Sequence, residues 1–308
     1  MPRTLVIVNP QSGHGTTARR WRKLEGKVRA ALGDVDIAHT TGPRDAERLA
    51  REAVRAGVER LVVAGGDGTV AEVATGLLRA ELGGYAVIGI LPMGTGCDFV
   101  RTLGIPEDTD AALAVLQNGS ARRVDACRVR FVGRDGAPDE TWMLNVASLG
   151  VSSAVVEVTE RTTKLFGGTV AFAIGTVRAL LGHRSQRIRL RVDDELFLDE
   201  KTVLAAVANG RHFGGGMRIA PDARIDDGLL EVIAVKHTPT WRLLAKLRKL
   251  YSGTLLGDPL VVATRGARIE ADAPGGCVAL ERDGDALGQL PATIEVKPAA
   301  IAIIGPKA

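Results

Sequence analysis

The chain has 308 residues, 45% of them hydrophobic and 25% charged, which bounds it to about two folded domains and excludes disorder over most of its length. Lys and Arg outnumber Asp and Glu by 40 to 36, a mild basic excess that suits phosphates or acidic membrane surfaces. Only 4% of residues are aromatic, which argues against base stacking and hence against a nucleic-acid partner.

Glycine is in excess at 37 residues, which forecasts many tight turns or backbone drawn close to a ligand. Three cysteines, Cys97, Cys127 and Cys277, form no CxxC pair and fit a reducing cytoplasm without disulfides. The opening MPRTLVIVNP reads as a strand rather than a signal peptide. The longest apolar stretch, 170–181, is short and broken by Arg178, so no membrane span is expected.

In chain order, the apolar run 5–8 predicts a strand that ends in the turn 9–15. Trp21, Leu24, Val28 and Leu32 follow at helical spacing, with Arg19, Arg20, Arg22, Lys23 and Lys27 on other faces. Strands are then predicted over 35–39, 60–64 and 86–91, alternating with helices over 44–56 and 70–82. Such a βαβα rhythm with continuous apolar strands implies a parallel sheet flanked by helices, an α/β N-terminal domain. After Arg122 the texture changes. Residues 187–192 alternate charged and apolar, the mark of a half-solvated antiparallel strand, and further strands are expected over 124–132, 143–148, 202–208, 229–235, 267–271 and 293–297. Helices are expected over 165–181 and 240–252, so the second half reads as a mostly antiparallel β domain with helical insertions.

The strongest local signal is Gly65-Gly66-Asp67-Gly68-Thr69, set between a strand and a helix. Its glycines let backbone approach a phosphate, and the helix N-terminus offers unpaired N–H groups. A carboxylate there does not favour bare phosphate, so Asp67 is assigned to a Mg²⁺ that bridges phosphate oxygens. The loop matches neither the P-loop nor the dinucleotide fingerprint. Two more loops follow neighbouring strands, 92–99 (Pro-Met-Gly-Thr-Gly-Cys-Asp-Phe) and Asn9-Pro10-Gln11-Ser12-Gly13, and three loops at one sheet edge would form a nucleotide crevice. Asp283-Gly284-Asp285 by itself reads as a two-residue hairpin turn, and Asp226-Asp227-Gly228 as a turn entering a strand.

Taken together, these residues resemble the diacylglycerol kinase catalytic-domain family, which includes sphingosine and ceramide kinases and bacterial lipid kinases. The resemblance covers nearly the whole chain. It rests on Asn9-Pro10 with Ser12-Gly13, Thr40 ahead of Asp45-Ala46, Gly65–Thr69, and Gly94-Thr95 with Asp98-Phe99. It continues through 145–150, Asn209-Gly210, Gly214-Gly215-Gly216, Ala220-Pro221, Asp226-Asp227-Gly228 and Asp283-Gly284-Asp285. The GGDGT run alone is shared with NAD kinases and phosphofructokinases.

The resemblance implies a phosphofructokinase- or NAD-kinase-like α/β domain over 1–123, which the last roughly ten residues could complete, followed by a β-sandwich acceptor domain over 124–298. It implies ATP and Mg²⁺ as cofactors and transfer of the γ-phosphate to a hydroxyl of diacylglycerol or a similar lipid. By the same resemblance Asn9, Pro10, Gln11, Ser12, Gly13, Thr40, Gly65, Gly66, Asp67, Gly68, Thr69, Val70, Ala71 and Thr95 contact ATP. Asp227, with main-chain carbonyls of Arg224 and Leu229, would bind a structural Mg²⁺. The general base would come from Asp285 or Asp283, and Asp98 and Asp125 resemble acidic residues of the network joining the domains.

Two positions depart from the family pattern: Cys97 stands where it usually has Asn, and Asp285 where it usually has Glu. Two alternatives are an NAD-kinase-like metabolite kinase and a catalytically silent lipid- or nucleotide-binding protein. The basic amphipathic segments 19–29 and 240–252, the latter with Trp241, Leu244, Leu247 and Tyr251 on one face, could meet an anionic membrane or could each be an ordinary helix on a core. The expectation is therefore a cytoplasmic, peripherally membrane-associated lipid kinase of phospholipid metabolism, with a homodimer left open.

Overall fold

The computed structural model describes residues 2–150 and 185–307, so the helix expected over 165–181 lies outside the described residues. The chain divides into two compact units, Met1–Ala126 with Pro298–Ala308, and Cys127–Lys297.

The first unit is built on β1 (Thr4–Val8), β2 (Asp36–His39), β3 (Arg60–Gly65) and β4 (Val87–Pro92), with helices α1 (Thr16–Leu32), α2 (Asp45–Arg55), α3 (Asp67–Arg79), α4 (Asp98–Leu103) and α5 (Thr109–Asn118). All strand pairs are parallel, in the order β4-β3-β1-β2, and Ala302–Ile303 of the C-terminal segment adds a further parallel partner beside Val87–Ile88. Val6, Ile7, Leu61, Val62, Val63 and Ile88 are fully buried. Each such side chain contributes about 1.5–3 kcal/mol on leaving water, which explains why these strands read as unbroken apolar runs.

Helices α2 and α3 approach closely at Gly76, where a Cβ would stand 2.3 Å from the Glu47 carbonyl oxygen. Helix α3 starts at Asp67 rather than Val70, because Gly66 is extended and the helical turn closes directly after it. In α1 the Trp21 side chain is buried with Val28 and Leu32, so this helix's apolar stripe is core and not a membrane face.

The second unit is antiparallel. Its strands are β5 (Ser120–Gly133), β6 (Pro138–Met143), β7 (Val146–Gly150), β8 (Gln186–Val192), β9 (Glu195–Ala208), β10 (His212–Phe213), β11 (Met217–Arg218), β12 (Leu230–Lys236), β13 (Val261–Gly266), β14 (Arg268–Asp272), β15 (Ala279–Arg282) and β16 (Asp285–Gly305), with β5 and β16 each running past a unit boundary. One helix, α6 (Thr240–Ser252), is described here. A core of Val129, Met143, Leu149, Ile188, Leu190, Val207, Val232, Ile269, Leu280 and Ile294 fills the sandwich. A second cluster, with Ile219, Ile233 and Leu250, packs on the α6 side.

The strand expected over 143–148 is broken at Leu144-Asn145. The N–H groups of Leu144, Asn145 and Val146 all donate to one buried carboxylate, that of Asp283, instead of to a strand partner.

Candidate active site

Three loops meet at the carboxyl ends of β1, β3 and β4, the edge at which open parallel sheets bind ligands. Asn9 ties the first two: its Nδ2 donates to Thr69 Oγ1 at 2.9 Å, and its Oδ1 accepts the Gln11 N–H at 3.0 Å. Ser12 Oγ donates to the Asn9 carbonyl at 2.9 Å and lies 2.8 Å from Thr17 Oγ1. Thr17 Oγ1 donates to the Met93 carbonyl at 3.1 Å, which brings in the third loop, and the Met93 N–H donates to the Gly65 carbonyl at 2.9 Å.

Space then dictates glycine at the contact points. A Cβ on Gly94 would stand 2.5 Å from Gly66 Cα, and one on Gly13, whose φ is +59°, would stand 2.6 Å from the Met93 carbonyl oxygen. Helix α3 has no side-chain cap, so its positive dipole end favours an anion at this loop. Val70 and Ala71 are buried, which limits them to main-chain contact with a ligand, whereas Gln11 and Thr95 are exposed and Pro10 and Gly68 half-buried. Thr40 sits at the end of β2, its N–H on the Val8 carbonyl at 2.9 Å.

Two carboxylates flank the third loop. Asp67 Oδ2 accepts the Asp98 N–H at 2.7 Å, and a Cβ on Gly96 would lie 3.6 Å from Asp67 Oδ2 and 3.9 Å from Asp98 Oδ2. Arg101 holds Asp98 Oδ1 at 2.8 Å and Glu107 at 2.7 Å. Burial, and next the Asp67 charge, push the Cys97 thiol up to about 12. The hard carboxylate oxygens of Asp67 fit Mg²⁺, whose shell would be completed by phosphate oxygens and water. Cys97 itself adopts φ +53° before α4, a conformation that Asn tolerates far better than Cys.

In the second unit Asp283 and Gly284, with φ of +51° and +93°, form a two-residue turn between β15 and β16. Around it lies an ionic cluster that sequence reasoning missed. The Asp283 side chain is 2% exposed, and its two oxygens take the three N–H groups of Leu144, Asn145 and Val146, each at 3.0 Å. Buried Arg282 donates to the Trp142 carbonyl at 3.2 Å and lies 3.6 Å from Asp285, whose side chain remains 52% exposed. Buried Glu281 accepts the Gly284 N–H at 2.7 Å and a hydrogen bond from Ser148 Oγ.

Burial lifts Glu281 to about 7, with the Asp283 and Asp285 charges adding to it. It also raises Asp283 and Asp285, against the pull of Arg282. Of the two aspartates considered as base, Asp283 is thus occupied in fixing the turn and Asp285 is the accessible one. An apolar neighbour at position 281 or 282 would have looked the same in a hairpin pattern, and only the fold shows what those side chains meet.

At the candidate structural-metal turn both oxygens of the Asp227 carboxylate already have partners within the chain. Asp227 Oδ1 accepts the Leu229 N–H at 3.1 Å, and its Oδ2 is paired with the guanidinium of Arg265. The Arg224 side chain is engaged with Asp226 at 3.3 Å. The Asp227 carboxylate is therefore already neutralised by an organic cation.

On α6, Trp241 is 66% exposed, with the Arg242 guanidinium 5.0 Å from its ring, and Tyr251 is exposed as well. Lys246 and Lys249 are both drawn to buried Asp258, which they hold down to about 2. Those two lysines belong to the fold. Leu244 and Leu247 lie outside the described side chains.

Residues 3–129 match the model of the diacylglycerol kinase catalytic domain, and residues 145–305 that of the YegS C-terminal NAD kinase beta sandwich-like domain. The chain belongs to the diacylglycerol kinase family of YegS type. It is 36% identical over 248 residues to a protein of Chromohalobacter salexigens named probable lipid kinase YegS-like, covering 79% of this chain and 74% of that one. A protein of Citrobacter koseri with the same name is 31% identical over 231 residues, covering 75% and 73%. Two crystal structures from Bacillus anthracis match 99% of this chain and 97% of their own, one at TM-score 0.79 and 25% identity. The other, described as a diacylglycerol kinase, matches at TM-score 0.71 and 23% identity and bears on the fold alone. Membership accounts for both halves of this architecture, the helix-flanked parallel sheet and the β-sandwich. Among its described residues no helix is long and apolar enough to cross a membrane.

Proposed function

We propose that the protein is an ATP-dependent lipid kinase that transfers the γ-phosphate to a hydroxyl of diacylglycerol or a lipid of similar head. The observation that carries this reading is the interlocked three-loop cluster at the sheet edge, where backbone N–H groups and the uncapped start of α3 can take phosphates. Asn9, Ser12, Gly13, Gly65, Gly66, Gly68 and Thr69 shape that cradle, with Gln11, Thr40 and Thr95 at its margins. Asp67 would hold the nucleotide-borne Mg²⁺, which when bound neutralises phosphate charge.

Phosphoryl transfer asks the protein mainly to position and to neutralise. Asp285 is the base in this reading: its exposed carboxylate accepts the acceptor hydroxyl's proton as that oxygen bonds to the γ-phosphorus and ADP leaves. Arg282, 3.6 Å away, opposes the upward push of burial on Asp285, and Asp283 fixes the turn that presents it. The exposed Trp241 with Arg242 supports transient docking on an anionic membrane from the cytoplasmic side.

The test is transfer from [γ-³²P]ATP to a panel of diacylglycerol, sphingoid base, ceramide and phosphatidylglycerol in mixed micelles, with NAD as a soluble acceptor. Label in a lipid is expected, with Asp67→Ala and Asp285→Asn each losing at least about 100-fold in kcat. Full activity in both variants would overturn the residue roles, and label in NAD alone would overturn the lipid.

A further inference from the structure

We infer that Arg265 is the resident cation of the Asp226-Asp227-Gly228 turn, a guanidinium serving where the family resemblance calls for a divalent metal. Its place is set by strand register: Arg265 on β13 lies directly opposite Glu231 on β12, the strand that this turn feeds. From there its Nε is 2.8 Å from Glu231 Oε1, and its Nη2 meets Asp227 Oδ2. One planar group thus bridges two carboxylates, for which its rigid fork of five N–H donors is pre-organised.

The surroundings are acidic enough to need a cation. Glu231 is pushed upward by burial and by the Asp222 and Asp227 charges, and Arg265 opposes that push. Asp226 is meanwhile satisfied by Arg224, so Arg265 is left to Asp227 and Glu231. Mg²⁺ demands a near-octahedral shell of oxygens, whereas both Asp227 oxygens are already engaged, Oδ1 by the Leu229 N–H and Oδ2 by Arg265. The Arg265 bridge supplies the charge without a metal, and pins the entry of β12 to β13.

The experiment is thermal unfolding of the full chain without nucleotide, in EDTA and across a MgCl₂ titration at matched ionic strength. The wild-type Tm is expected to be the same throughout, and dialysed protein is expected to carry no stoichiometric Mg²⁺ or Ca²⁺ by elemental analysis. Arg265→Met is expected to unfold about 2–4 °C lower in EDTA and to recover with Mg²⁺, because two adjacent carboxylates are then left for the ion. A wild-type Tm that falls in EDTA and returns with Mg²⁺, or stoichiometric bound metal, overturns the inference. So does an Arg265→Met chain as stable in EDTA as the parent. Should that variant not fold, the wild-type titration and metal content still decide. None of these readouts depends on kinase activity.

Discussion

The loop cluster of the first unit and the Asp283-Gly284 turn of the second are both small, glycine-bearing elements, yet different forces hold them. The loops are held by neutral hydrogen bonds among Asn9, Ser12, Thr17, Thr69 and backbone, and by the contact of Gly66 with Gly94. The turn is held by buried charge: Glu281, Arg282 and Asp283 together, with Asp285 at the rim. A sterically defined cradle, with carboxylates only at its third loop, suits a ligand that brings its own charge. A charged cluster suits a group whose proton affinity has to be set, and the turn should respond to pH.

The largest expected effect is at the turn. Asp283→Ala leaves three N–H groups without their acceptor and Arg282 short of a counter-charge, and is expected to cost about 3–5 kcal/mol in urea unfolding. A loss under about 1 kcal/mol would show that the buried charges do not hold it. Gly94→Ala should cost about 1–3 kcal/mol, since the Cβ must push Gly66 away, and should abolish binding of a non-hydrolysable ATP analogue by calorimetry. Retained affinity would remove the steric account of the cradle.

The pH response separates the regions further. The Glu281 carboxyl is raised in the folded state from 4.5 to about 7, so its contribution is full below pH 4.5 and is lost as pH rises through 7. Glu281→Gln should flatten that fall, worth about 3 kcal/mol at most, in unfolding curves measured between those limits. An unchanged slope would assign the response to another group.

The smallest effect returns to the loops. Cys97→Asn should add about 0.5–1 kcal/mol by easing the positive φ ahead of α4, read as a rise in urea midpoint at constant slope. A fall in midpoint would mean that the buried Cys97 side chain matters more than its backbone.

Much of the first unit was legible in the chain. Runs such as Leu61-Val62-Val63 are buried on both faces of a parallel sheet and so carry no polar alternation to confuse with a helix. The loops were legible because glycine is demanded by close backbone approach, and that demand is local. Helix α5 went unseen although Asp108 caps it by accepting the Ala111 N–H, a signal within reach of the sequence. In the second unit, strands β6, β13 and β15 went unseen because their residues are only partly apolar and are recognised by their partners.

The sequence alone determined the order of secondary elements in the α/β half, the glycine loops and the family to which they point, because those depend on neighbours along the chain. The excess of glycine resolves into contacts such as Gly66 on Gly94 and Gly76 on Glu47. What tertiary structure decided was the state of the charges. Whether an aspartate is a base, a turn fastener or half of an ion pair depends on what faces it: Arg282 for Asp285, three N–H groups for Asp283, and Arg265 for Asp227. Those partners lie as little as three and as many as 139 residues away, and only folding brings them within reach.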